Sequence, residues 1–128
     1  MNPALKTKPT KFSNYLENLK ASIIESLEAS KAEDIVTIDL SDKTDFANLM
    51  IIASGRVNKH VDAISMRLVD DLENENIFDV QVEGREEANW ILIDVGDIIV
   101  NIFKPDVREF YNLEKMWNVE FPASSKIF

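Results

Sequence analysis

Asp94 and Asp97, flanking Val95-Gly96, are the acids best placed to do chemistry in this chain. Two carboxylates near a strand end can ligate magnesium. Nucleotidyl transfer combines such acids with a Gly-Ser after an earlier strand, and here that early position reads Ala53-Ser54-Gly55-Arg56. The acids, however, are spaced D-x-x-D. Residues on one face of a strand alternate, so this spacing breaks the geometry a shared metal needs. Asp97 is better explained as a turn residue whose side chain suits a hairpin.

The other candidates are weaker. His60 is the only histidine, beside Lys59 and without a serine or cysteine pattern to activate, so its expected role is capping or surface. Gly55 and Gly84 belong to no phosphate-binding pattern and read as turns needing positive φ. The chain has no cysteine, which excludes disulfides and thiolate metal sites and fits a reducing cytoplasm. No catalytic residue, metal or cofactor is assigned, and the expectation is a protein that is not an enzyme.

The elements that must position these residues follow from hydrophobic spacing. Tyr15, Leu16, Leu19, Ile23, Ile24 and Leu27 recur at helical intervals, with Ser13 as the expected N-cap. Strands are predicted from Ile35 to Leu40 and from Phe46 to Ala53, the second more continuously apolar and therefore central. A second helix over Asn58 to Glu75 should bury Val61, Ile64, Leu68 and Leu72. Three short strands follow at Asp79–Glu83, Trp90–Val95 and Ile98–Phe103, the last two joined by a tight turn at Gly96-Asp97. Pro105-Asp106 opens a third helix, with Asp106 as N-cap and Glu109 completing a capping box. Its apolar stripe would be Phe110, Leu113 and Trp117, with Tyr111 and Glu114 on the flank.

The order α-β-β-α-β-β-β-α predicts a mixed α+β or α/β fold: one five-stranded β-sheet flanked by helices, with a parallel crossover at the central strand–helix–strand unit. At 128 residues and 45% apolar content this is one domain, over residues 13–120. A basic arm at residues 1–12, with three lysines, two prolines and no acid, precedes it, and a tail at 121–128 follows. No run approaches the roughly 18 apolar residues of a membrane span. The N-terminus lacks a signal core, so the expected location is cytoplasmic.

Charge narrows the class of partner. The net charge is −9, and the segment Asp62–Asp97, with eleven carboxylates against two arginines, carries all of it. Such a surface is repelled by phosphate backbones, which argues against direct DNA binding. It suits either simple solubility or a basic protein partner. Trp90, at the end of Arg85-Glu86-Glu87, suits a core position or a rim with one ring face exposed. Tyr111 beside Glu114 is a credible interface anchor.

One series ties these residues together: Glu83-Gly84, then Trp90-Ile-Leu-Ile-Asp94-Val-Gly-Asp97, then Arg108-Glu-Phe-Tyr111-Asn-Leu-Glu114 and Trp117. With Asp39, Ser41, Thr44-Asp45-Phe46, Ile52-Ala-Ser-Gly55 and Asn58-Lys-His60-Val61, it resembles the ribosomal silencing factor family, also called Iojap-like. The resemblance covers roughly residues 15–120. It implies a nucleotidyltransferase-like fold without its catalytic residues. It also implies a partner, ribosomal protein fourteen on the large ribosomal subunit, where the factor blocks docking of the small subunit and represses translation under nutrient limitation. A homodimer is left open by the resemblance. The residues expected at the ribosomal surface are Trp90, Asp94, Arg108, Tyr111 and Glu114, together with Glu83 and Asp97. The chain departs from the family at Asn101, where a histidine is usual; asparagine keeps polar contacts but cannot become cationic. The alternatives are a divergent metal-dependent nucleotidyltransferase and an acidic adaptor for another basic protein.

Overall fold

Apolar residues at helical spacing make the first element a long amphipathic helix. In a computed structural model that describes residues 11–117, helix α1 spans Lys11–Ala29 and buries Leu19, Ile23 and Leu27. Ser13 lies inside this helix and does not cap it, because the helix is already under way at Lys11. Tyr15 drops off the buried stripe, 46% exposed and tilted against Phe12. The remainder of the basic arm and the tail lie outside the described residues.

The chain then runs through β1 (Glu33–Asp39), β2 (Leu49–Ser54), α2 (Asn58–Asn74), β3 (Gln81–Glu83), β4 (Trp90–Asp94), β5 (Ile98–Phe103), α3 (Pro105–Tyr111) and α4 (Leu113–Trp117). The five strands form one mixed sheet in the order β1-β2-β5-β4-β3. β2 and β5 are parallel and every other neighbouring pair is antiparallel. The parallel neighbour of β2 is thus β5 and not the next strand in sequence. β3, only three residues long and exposed at both of its ends, Gln81 and Glu83, is fit only for an edge. β5 is buried along its whole length and takes the centre.

The two faces of the sheet are unequal. α1 and α2 cover one face, where Val61, Ile64, Leu68 and Leu72 are all fully buried against Ile51, Ala53, Ile91, Ile93, Val100 and Ile102. Each such side chain contributes on the order of 2 kcal/mol by leaving water. The opposite face carries a smaller cluster, in which Ile38, Leu40, Met50, Ile52, Ile99 and Phe103 are joined by Leu113 and Trp117.

Local chemistry explains the element ends. Gly55 terminates β2 beside the first turn of α2, and a Cβ there would stand 2.9 Å from Val61 Cγ2 and from the Val61 nitrogen. Close packing requires this glycine; the positive φ expected from sequence belongs to Gly84, at +94°. The β4–β5 turn closes with Val95 N donating to the Ile98 carbonyl at 2.9 Å. Gly96 N adds a bond to Asp94 Oδ1 at 2.8 Å. α3 starts two residues earlier than a cap at Asp106 would place it: Lys104 is the N-cap, Pro105 stands at the first helical position, and no side chain caps the helix. Proline has no N–H to satisfy there, and its ring presets the helical φ. Asn112 in the left-handed conformation (φ 48°, ψ 55°) then splits the expected single helix into α3 and α4.

Candidate functional site: an aromatic and acidic face

Strand alternation and register decide which side chains share the thinner face. Ile91 and Ile93 point into the large core, so Trp90, Leu92 and Asp94 point the other way. Across the ladder Glu83 lies opposite Leu92 and Gln81 opposite Asp94, while Leu92 lies opposite Asn101 and Trp90 opposite Phe103. Glu83, Trp90 and Asp94 therefore lie on one face of the β3–β4 edge.

Trp90 is the pivot of this face. Its ring lies 4.9 Å from that of Phe103, nearly parallel, and 4.9 Å from that of Tyr111. Tyr111 meets Phe110 edge-on at 5.0 Å. The four rings run from a buried Phe103 to Phe110, which is 80% exposed. Such offset and edge-on pairs add about 0.5–1.5 kcal/mol each beyond their buried area. The indole is fixed further by Nε1 donating to Asn101 Oδ1 at 2.8 Å. Asn101 is buried, and its Nδ2 has no hydrogen-bond partner among the described residues. Asn101 thus serves as an internal acceptor for the tryptophan.

Beside the rings, the loop between β3 and β4 and the helix α3 enclose an open groove of about 810 Å³. Gly84, Glu86, Glu87, Asn89, Trp90, Asp106, Val107, Phe110 and Tyr111 line it. The loop is held from two sides. Asn58 Nδ2, at the start of α2, donates to the Glu87 carbonyl and to Asn89 Oδ1 at 2.8 Å each. Lys104 N donates to the Asn89 carbonyl at 3.1 Å. Gly84 permits the tight entry: a Cβ there would fall 2.2 Å from the Trp90 carbonyl oxygen.

Arg108 and Glu114, expected at the partner surface, are turned largely toward each other. Arg108 Nε and Nη2 bond the two Glu114 carboxylate oxygens at 3.0 Å each, and Nη1 donates to Ser54 Oγ at 2.7 Å. The Arg108 side chain is only 11% exposed. This fork ties α3, α4 and the end of β2 together. Ser54 itself is buried, and the guanidinium occupies its hydroxyl. Of the expected stripe, Leu113 and Trp117 pack on the sheet, whereas Phe110 is 80% exposed and does not.

Asp94 and Asp97 serve the turn. The Asp94 carboxylate accepts Gly96 N, and the Asp97 carbonyl accepts Asn48 N at 2.9 Å and Leu49 N at 3.2 Å. Among the described residues no group of three or more His, Cys, Asp or Glu side chains could hold a metal ion. His60 joins two loops: Nδ1 accepts Arg56 N at 3.0 Å and Nε2 donates to the Ser30 carbonyl at 2.8 Å. Both bonds together specify the neutral ring protonated at Nε2.

The chain matches known proteins over most of its length. The family model described as "Ribosomal silencing factor during starvation" matches residues 13–126. The chain belongs to the ribosomal silencing factor family. It is 42% identical over 101 residues to the ribosomal silencing factor RsfS of Zymomonas mobilis, covering 79% of this chain and 76% of that one. Two crystal structures share the fold. One, of a Chromobacterium violaceum protein, has a TM-score of 0.78 at 32% identity and covers 84% of this chain and 89% of its own. The other, from Bacillus halodurans, has a TM-score of 0.72 at 33% identity and covers 82% and 99%. The family is named for a regulatory role and not for a reaction.

Sequence reasoning did not find the groove. Glu86 and Glu87 were legible as a charged loop, and Asp106 as a helix start. Their meeting around Trp90 and Tyr111 depends on the pins from Asn58 and Lys104, which are contacts between distant segments. No local signal encodes them.

Proposed function

We propose that this silencing factor binds the large ribosomal subunit at ribosomal protein fourteen and sterically blocks association with the small subunit, repressing translation under nutrient limitation in the cytoplasm. The observation that carries this reading is the half-exposed aromatic series Trp90–Tyr111–Phe110 set among carboxylates on a rigid sheet. Aromatic anchors of this kind supply most of the energy in protein interfaces. A net charge of −9 favours a basic ribosomal protein over the RNA around it. Trp90 and Tyr111 are the proposed anchors, Glu83, Asp94 and Asp97 the surrounding acids, and Arg108 with Glu114 the pair that sets the angle of the last helices. Membership of the family supports the ribosomal partner.

Gradient co-sedimentation with separated ribosomal subunits tests the reading. Selective migration with large subunits and fewer reassociated ribosomes is the expected outcome. Trp90→Ala and Tyr111→Ala should each weaken binding by about 2 kcal/mol, roughly 30-fold in Kd. Folded protein that binds neither subunit at moderate salt would overturn the proposal.

A further inference from the structure

The groove beside Trp90 has a chemistry of its own. Three carboxylates, Glu86, Glu87 and Asp106, stand around it, and none has an ion-pair partner among the described residues. No lysine or arginine lines it. The nearest arginines in sequence are engaged elsewhere: Arg85 with Asp62 at 2.8 Å, and Arg108 with Glu114. Tyr111, 48% exposed, and Phe110, 80% exposed, line the groove. Carboxylates without counter-ions beside accessible aromatic rings form a receptor for a flat cation. A guanidinium stacks on a ring through its face and donates in-plane hydrogen bonds to carboxylates, whereas an ammonium is a compact, strongly hydrated charge.

We infer that this groove takes an arginine side chain presented by the basic partner, its guanidinium stacked on the Tyr111–Trp90 rings and paired with carboxylates of Glu86, Glu87 and Asp106. The identity of the partner rests on the docking reading above; the chemistry of the subsite rests on the groove itself. The pinned loop makes the receptor pre-organised: Asn58 and Lys104 hold its C-terminal end at Glu87 and Asn89, and Ala88 N donates to the Gly84 carbonyl at 3.0 Å to close it at the other, before any ligand arrives.

Two arms test it. In the first, the full chain labelled with nitrogen-15 is titrated with N-acetyl-arginine methylamide, with its citrulline analogue, and with N-acetyl-lysine methylamide. Saturable shifts confined to residues 84–90, 106–111 and the Trp90 indole N–H are expected with arginine. Binding should be at least about tenfold weaker with citrulline, weaker with lysine, and lost in the variant E86Q/E87Q/D106N. An equal response to citrulline or lysine, no response in the groove, or an unaltered response in the triple variant would overturn the inference. In the second arm the same variant is measured against large ribosomal subunits over a range of salt. A Kd raised about tenfold or more at low salt, with a shallower salt dependence, supports the subsite. If Trp90→Ala weakens subunit binding and the triple variant does not, the subsite falls while the docking reading stands. If no subunit binding occurs but the arginine titration saturates in the groove, the docking reading falls and the subsite stands.

Discussion

Replacing Arg108 with methionine separates a structural role from a docking role. Methionine keeps most of the buried stem, so the loss is confined to the guanidinium. That group makes two bonds to Glu114 at 3.0 Å and one to Ser54 Oγ at 2.7 Å, from a side chain only 11% exposed. Glu114, 30% exposed, can recover part of its hydration. Ser54 is 2% exposed and cannot, so its hydroxyl is left without its arginine donor at a cost of about 1–3 kcal/mol. Breaking a largely buried pair costs about 3–5 kcal/mol, and the exposed side of Glu114 reduces that. A total near 3 kcal/mol is expected. In urea, followed by tryptophan fluorescence, an m-value of about 2 kcal/mol/M would turn this into a fall of about 1.5 M in the midpoint. Glu114→Gln, which keeps an acceptor oxygen, should lose less. A stability change below about 1 kcal/mol for Arg108→Met at unchanged m, combined with impaired subunit binding, would refute the structural assignment and return Arg108 to the partner surface.

Gly84→Ala should be severe, because φ is +94° and the new Cβ would lie 2.2 Å from the Trp90 carbonyl oxygen. A melting temperature lower by about 10 °C or more is expected, and a calorimetric shift within about 1 °C would contradict it. Leu68→Ala, at a fully buried position on α2, should cost about 3 kcal/mol in chemical denaturation, whereas Val57→Ala, at 58% exposure, should cost under about 0.5 kcal/mol. Equal effects of the two would contradict the packing of α2. Asp39 is held below its ordinary 3.8 by the Ser41 hydroxyl first, then by the Ser41 amide, with Lys43 adding a smaller pull against slight desolvation. A carboxylate with a depressed folded-state pKa stabilises above its unfolded pKa, and that contribution is lost as pH falls through the folded value, here below 3.8. Ser41→Ala should therefore lower stability at pH 7 by under about 1 kcal/mol, since the group is exposed, and the difference should vanish near pH 2. A deficit persisting undiminished at that pH would exclude Asp39 as its source.

Much of the architecture was written in local pattern. The α2 stripe of Val61, Ile64, Leu68 and Leu72 is buried as the 3.6-residue period requires, and Gly96-Asp97 closes the hairpin that its spacing announced. What stayed hidden was non-local. β2 lies beside β5 because both are apolar on two faces, and nothing in a window of a few residues reports that pairing. The run Tyr111-Asn-Leu-Glu114 reads as helix, yet Asn112 adopts the left-handed conformation that asparagine tolerates. The break changes which residues meet. Arg108 and Glu114 are six apart, a separation that puts side chains far apart around a continuous helix, and they pair because the helix ends between them. Asn101 looked only like the loss of a titratable group, and its bond to Trp90 depends on the β4–β5 register.

The edges of the sheet restrict how any other chain can take hold. One edge is β3, three residues long; the other is β1, whose register slips between Glu33 and Val36 where Asp34 adopts φ 51°. Neither presents a long, flat row of free amides and carbonyls, so strand addition by a visiting polypeptide is disfavoured, and with it ribbon-like self-assembly. Recognition is left to side chains on a preformed surface. Attachment and release then need no backbone pairing to be made or unzipped.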